Sequence, residues 1–405
     1  MRETTMKFVL VVLGVMFCTL AGCTTKVVKC TGDTDNPQHH YLMGMKALED
    51  GNLTVAREKF DRAIYCNEKF SKGYAGLGII GGEKMIGQDD FRFRTIETEL
   101  VDSLLKNAKK YADLPDEYFD YYIAQIRTQT AMKPKGWLTK AVDAYTEAMK
   151  LHVDERSLNY YQGPEAASYF IGLAYLEALE FNHARDSFAA VFNAKKDGKW
   201  HERADLCWKK TDRVVRAMSG VSVGDVGKKI AIKDSVTRAD LAALLIDELK
   251  IDRLMAGRIP VSEESIIPKV EFVPADIVDQ PFRNEVLSLL KWKVRGMESK
   301  FDQQTQAYLF KPTDAVSRGE LAFVLEDVLL KIIGNEKIAI AYFNLDVSPF
   351  TDVRASSPVF NAVITVTTRG ILEGDMNGKF RPNDPVNGAD ALLSIRMLHQ
   401  KLTVY

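Results

Sequence analysis

FTDV (Phe350 to Val353), an apolar stretch, then GILEGDMNGKFRPNDP (Gly370 to Pro385) and a second amphipathic stretch make one structural sentence. Asn377-Gly378 and the Asn383-Asp384-Pro385 run favour tight turns, because glycine supplies positive φ and short polar side chains bond to nearby backbone. The unit therefore reads helix, turn, helix. FVPADI (Phe272 to Ile277), Gly296-Met297, Phe310-Lys311-Pro312 and VSRGEL (Val316 to Leu321) repeat it upstream with a longer loop. VTRADL (Val236 to Leu241) repeats its end. Gly220 precedes Arg238 by the interval that separates Gly370 from Gly388, so Leu206 to Met218 serves as the first helix of that earliest copy.

Each copy closes on a helix-start signal. Thr237 and Ser317 stand where an N-cap belongs, with Asp240 and Glu320 three residues on, the spacing of a capping box. Arg238 and Arg318 follow the caps, near free N–H groups and the positive end of a helix dipole. A guanidinium binds a carboxylate through two parallel hydrogen bonds, so an arginine there suits a carboxylate receptor. The last copy keeps a cap at Asn387 but carries Gly388 in place of the arginine.

The pattern aromatic-x-Asp-Val, helix, Gly-Ile, turn, Phe-x-Pro, capped helix resembles the S-layer homology (SLH) motif. That resemblance implies three copies, at about 203–255, 270–333 and 348–402, assembled as a helical prism whose grooves hold cell-wall polymer, often through an acidic or pyruvylated sugar. Carried onto this chain, it makes Arg238 and Arg318 ligand arginines and Asp276 and Asp352 groove residues. Phe282 and Phe360 stand nearest the aromatic expected after each Asp-Val.

The region before the SLH copies has another period. Gly44, Ala56, Phe60 and Ala63 share their offsets with Gly172, Ala184, Phe188 and Val191, and Gly44 to Gly78 spans a period of about 34 residues. Ala141, Tyr145 and Ala148 give half a match, and Tyr74, Leu77 and Gly78 begin another. This resembles the tetratricopeptide repeat, in which small residues on one helix admit a large residue of the next. Residues 37–202 are thus expected to form a tetratricopeptide-like α-solenoid, fused directly to an SLH prism over 203–405, in a mostly α protein. The aromatic cluster Tyr118, Phe119, Tyr121 and Tyr122 is expected to be core between stacked helices.

At the other end, an apolar run from Phe8 to Leu20 follows Lys7 and leads into Ala21, Gly22 and Cys23. That order is a secretory signal, and a run of about 13 apolar residues falls short of the roughly 20 a membrane span needs. Its end resembles a bacterial lipobox, which implies cleavage after residue 22 and lipidation at Cys23. Thr24 in place of aspartate favours the outer membrane. Residues 23–36 read as a tether to the first domain. Of five cysteines, Cys30, Cys66 and Cys207 remain after Cys18 and Cys23; in an oxidising compartment one pair can bridge, and the odd number leaves the pairing open.

Lys+Arg 54 against Asp+Glu 55 leaves no electrostatic footprint for nucleic acid. Six histidines are scattered apart from His39 and His40, which read as surface residues at a helix start. No zinc-hydrolase, serine-hydrolase or phosphate-loop motif is present, and Gly374 to Gly378 lacks the spaced acids of a calcium loop. The expectation is a non-enzymatic envelope lipoprotein without cofactor or metal, binding wall glycan or peptidoglycan through the SLH copies and a protein partner through the helical repeats. An assembly or secretion factor whose repeats hold client proteins is the alternative.

Overall fold

The computed structural model describes residues 30, 32–194, 197–256 and 273–403. The signal segment, Cys23 and Phe272 lie outside them. The chain is mostly helical, with sixteen helices and one short hairpin among the described residues. Among those residues, no helix is long and apolar enough to cross a membrane. Two compact units divide within one helix, Met1–Ala167 and Ser168–Tyr405.

The first unit begins where Asn36 accepts the His39 N–H and Pro37 occupies the first turn of α1 (Pro37–Glu49), a position where a missing N–H costs nothing. Asn52 caps α2 (Leu53–Cys66) in the same way. α3 (Ser71–Lys84), α4 (Phe91–Tyr111), α5 (Pro115–Met132) and α6 (Trp137–Lys150) follow. Phe60 on α2 is fully buried between two glycines. A Cβ at Gly44 on α1 or at Gly76 on α3 would come within 2.5 Å of its ring, so the flat aromatic face sets how closely three helices approach.

The same unit buries charge. Lys72 on α3 pairs with Asp116 at 2.6 Å and Asp120 at 3.3 Å, and the Tyr41 hydroxyl donates to Asp120. Buried charges persist only when paired in this manner. Of the aromatic cluster on α5, Phe119 and Tyr121 are buried and Tyr118 and Tyr122 half-buried, as core packing requires.

Two readings of the N-terminal stretch change. Cys30 bridges to Cys66, and Asp35 accepts from Arg62 at 2.7 and 3.0 Å. The end of the 23–36 tether is therefore fastened to α2 by a covalent bond and an ion pair. His40 is buried, its Nε2 2.8 Å from the Asp35 carboxylate, whereas the sequence placed it on the surface; the adjacent acid gives it a partner. Among the described residues, Cys207 is the free cysteine.

The second unit contains most of α7 (Glu165–Glu177), then α8 (Phe181–Ala194) and α9 (His201–Met218). A Cβ at Gly172 on α7 would lie 2.6 Å from the Phe188 ring of α8, the same glycine-on-phenylalanine contact as in the first unit. α9 is one unbroken helix. It packs on α8, and its C-terminal carbonyls at Arg216 and Ala217 accept from Arg396 of the last helix. That double contact places α8 and α9 with the C-terminal bundle.

The bundle continues with α10 (Asp225–Ala231), α11 (Arg238–Ala243) and α12 (Ile251–Ala256), then α13 (Arg283–Lys291), α14 (Arg318–Ile333), α15 (Phe360–Thr368) and α16 (Gly388–Thr403). The longer loop of the middle copy is a hairpin, β1 (Lys300–Asp302) paired antiparallel with β2 (Ala307–Leu309). In the last copy the corresponding turn is shorter, closed by Asp375 N–H on the Lys379 carbonyl at 2.7 Å. Buried Glu326 on α14 accepts from Asn361 and Thr365 of α15 and from Arg295, tying neighbouring helices through a satisfied polar network.

Gly44→Ala or Gly76→Ala is expected to lower stability by about 1–3 kcal/mol, since the added methyl overlaps Phe60, read from urea unfolding of the intact chain. Arg62 and His40 hold the Asp35 carboxyl down to about 2 from 3.8. A group whose pKa falls on folding stabilises above its unfolded value. That contribution is complete above about pH 4 and is lost as pH falls through about 2. Asp35→Asn should therefore flatten the acid limb of a pH–stability curve without altering its neutral plateau's shape.

Candidate functional site

The site is built on three extended valines. The Val236 N–H donates to the Val386 carbonyl at 2.9 Å, Val386 to Val316 at 3.0 Å, and Val316 back to Val236 at 2.9 Å. All three are buried, so the ring satisfies main-chain groups that water cannot reach. It joins the starts of α11, α14 and α16 through one closed cycle of main-chain bonds.

Each valine leads into a cap. The Thr237 and Ser317 hydroxyls accept from the N–H of Asp240 and Glu320, whose carboxylates reach back to the cap N–H groups. Asn387 accepts from Asp390 N–H at 2.9 Å. The next N–H groups are taken as well. Arg238 and Ala239 donate to the carbonyls of Asp314 and Pro312, and Arg318 and Gly319 to those of Asp384 and Pro382. These helix starts are thus filled by main chain from the following copy.

The arginine side chains reach into the same neighbour. Arg238 donates to the carbonyls of Phe310 at 2.9 Å, Gly296 at 2.6 Å and Glu298 at 3.1 Å. Arg318 donates to Phe380 at 2.8 Å and Glu373 at 2.5 Å. Each guanidinium also lies over the ring of the phenylalanine whose carbonyl it bonds, at 4.8 and 5.0 Å from the centroids. Burial pushes both arginines below their ordinary pKa, against nearby carboxylates that raise it.

Asp276 and Asp352 grip those turns from the other side. Asp276 accepts the N–H groups of Phe310 and Lys311 at 2.9 and 2.7 Å, and Asp352 those of Phe380 and Arg381 at the same distances. Lys311 and Arg381 have φ of 58° and 59°, a conformation that disfavours side chains and needs surrounding support. Burial works to raise the Asp352 pKa, and the two N–H donors hold it below the usual carboxylate value. The four residues singled out in the sequence therefore assemble in pairs, Arg238 with Asp276 on the Phe310 turn and Arg318 with Asp352 on the Phe380 turn.

The third seam has no such clamp. Gly388 donates to the Lys233 carbonyl at 2.8 Å, and a Cβ there would sit 1.8 Å from the Ile230 carbonyl oxygen. The backbone of α10 leaves room for glycine alone, which is the physical reason the arginine is missing.

Beside Arg318 lies a cavity of about 350 Å³ lined by Glu373, Asp375, Arg381, Asp390 and Leu393 among others. The Arg318 guanidinium is 3.9 Å from Asp390. Sequence reasoning missed these lining residues because the turn and α16 meet only in the fold. The repeated Phe-x-Pro could have identified Phe310 and Phe380 as the points where the clamps converge.

A family model for the S-layer homology domain matches residues 349–392. The chain thus carries an SLH domain that includes the Phe380 turn, Asp352, the start of α16 and one side of the cavity, whose other lining residues Arg318, Leu393, Ser394 and Met397 lie outside the match. SLH domains associate with the cell wall or surface. Comparison with curated proteins and with solved structures returns no match.

Arg318→Ala is expected to destabilise the bundle by about 1–3 kcal/mol, because the buried Phe380 carbonyl and the part-buried Glu373 carbonyl lose their donor, and Arg318→Lys should recover less than half of that. Gly388→Ala should cost about 3 kcal/mol through overlap with main chain. Thermal unfolding of the three variants beside the parent checks both.

Proposed function

We propose that this protein is an envelope lipoprotein, not an enzyme, whose three SLH copies form a prism that binds cell-wall glycan, peptidoglycan or an attached polysaccharide. The observation that carries the reading is the valine ring. It links the SLH domain at 349–392 to two upstream segments through a cap and main-chain bonds at each of the three helix starts, with clamps on the Phe310 and Phe380 turns.

On this reading, Arg238, Arg318, Asp276 and Asp352 act by holding the turns that shape the grooves, and Arg318 also lines one directly. The helix hairpins with their repeated glycine–phenylalanine contacts are tetratricopeptide-like repeats that present a surface to a protein partner. Acylation of Cys23, supported by the order of basic residue, apolar run and small residues before it, holds the chain at the outer membrane. Lipid and wall contacts then each raise the effective concentration for the other, coupling membrane to wall.

Purified protein lacking residues 1–22 should co-sediment with isolated sacculi. The pair Arg238→Ala plus Arg318→Ala should be retained about tenfold less, a loss of roughly 1.4 kcal/mol, with helical content unchanged by circular dichroism. Absence of co-sedimentation by the parent protein would overturn the wall-binding reading, as would equal retention of parent and variant for the proposed role of the clamps.

A further inference from the structure

One connector of the first unit is unlike the rest. Residues 151–164 join α6 to α7, whereas the longest of the other connectors in that unit is 85–90. Connectors beyond about 12–15 residues are uncommon in compact domains and usually functional, and this one holds only the single turn Glu155–Ser157. Asp154, Glu155, Arg156, Asn159 and Gln162 are exposed on it, while Leu158, Tyr160 and Tyr161 are buried.

The buried tyrosines reach back to the first helices of earlier hairpins. The Tyr160 hydroxyl donates to Glu49, the last residue of α1, at 3.3 Å. The Tyr161 ring meets Phe119 of α5 edge to face, with centroids 5.8 Å apart. Its hydroxyl accepts from Arg127 of α5, which also donates to Glu83 of α3 at 2.6 Å. The backbone–backbone hydrogen bonds of the segment, by contrast, close within it or onto the ends of α6 and α7, among them Leu158 N–H to Glu155 and Gln162 N–H to Leu158. Gln162 holds φ at 59°, a conformation unfavourable to a residue with a Cβ. A segment attached through a few side chains, with its main-chain bonds satisfied locally, opens at lower cost than the helices it covers.

We propose that residues 151–164 are a displaceable strap seated where a partner docks on α1 and α5, and that the partner is a protein segment offering an apolar residue and a tyrosine pair in the order of Leu158, Tyr160 and Tyr161. The proposal rests on the reading above that the helical repeats serve a protein partner. Its chemistry is set by the helices: a phenol both donates and accepts, so one tyrosine suits the Glu49 carboxylate and the next the Arg127 guanidinium, and Phe119 offers the edge-to-face contact that aromatic pairs favour. Because the strap belongs to the same chain, its effective concentration is high, and the occupied form is the resting one.

A fluorescein-labelled peptide of residues 154–163 is the probe, titrated at neutral pH into the chain lacking residues 1–22. It should bind the triple variant Leu158→Ala, Tyr160→Ala, Tyr161→Ala about tenfold or more tighter than the parent chain, roughly 1.4 kcal/mol, and Tyr160→Ala alone should fall between. The same peptide carrying Tyr160→Ala and Tyr161→Ala should not bind. Circular dichroism and the unfolding midpoint establish that each variant is folded; should the triple variant unfold, Tyr160→Ala carries the comparison, because it leaves Leu158 and the Phe119 contact in place.

Equal binding of the peptide to the parent and the folded variants would overturn the strap, as would binding to none of them. A photoreactive side chain placed at Asn159 of the triple variant then tests the partner in cells. Absence of any protein adduct there, with the peptide still bound in solution, would remove the protein-partner reading while the strap stands.

Discussion

Three valine backbones hydrogen-bonded in a closed cycle are the constraint on which the C-terminal bundle depends. Val236, Val316 and Val386 each give one N–H and take one carbonyl bond, so no edge is left for a further segment to join. A buried extended segment normally needs a sheet to satisfy its main chain. Here three single residues replace the sheet. The closure also fixes direction: each helix start donates its first N–H groups into the turn that precedes the next one.

From that geometry follows the dual grip on each Phe turn. An aspartate within the copy takes two N–H groups and an arginine of the preceding copy takes the carbonyl of the same phenylalanine. Both partners are charged, and such hydrogen bonds are the stronger class. The positive-φ residues Lys311 and Arg381 are thereby held where unaided backbone would relax. At the third seam the α10 backbone comes too close for any side chain at position 388. The bundle is thus equivalent in its main chain and unequal in its seams, and the cavity lies beside the Arg318 seam, where the SLH domain was recognised.

Much of this was legible in the residues. The capping boxes at Thr237 and Ser317 followed from local spacing, because a cap and its partner lie within one helical turn. The longer middle loop was visible as an interval, and it folds as the hairpin β1–β2. The offsets linking Gly44 to Phe60 and Gly172 to Phe188 located the close helix contacts, since only glycine leaves room for an aromatic ring there. The roles of the arginines were not legible. Their place after an N-cap suggested free N–H groups and an open guanidinium, but the groups that occupy both come from segments more than 50 residues away, and local sequence carries no mark of them. The acid partner of His40, Asp35, lies five residues away and is itself held by Arg62 of α2.

Sequence alone determined the helical class, the SLH unit near the C-terminus, the helix starts and the residues that meet at the Phe310 and Phe380 turns. These rest on short-range physics: periodic burial, capping and backbone freedom at glycine. Tertiary structure decided which carbonyls each arginine meets, which cysteines join, and why position 388 must be glycine. Those outcomes depend on distances between segments remote in the chain. Hydrogen bonds and charge pairs act over a few ångströms, and only folding brings such groups within that range.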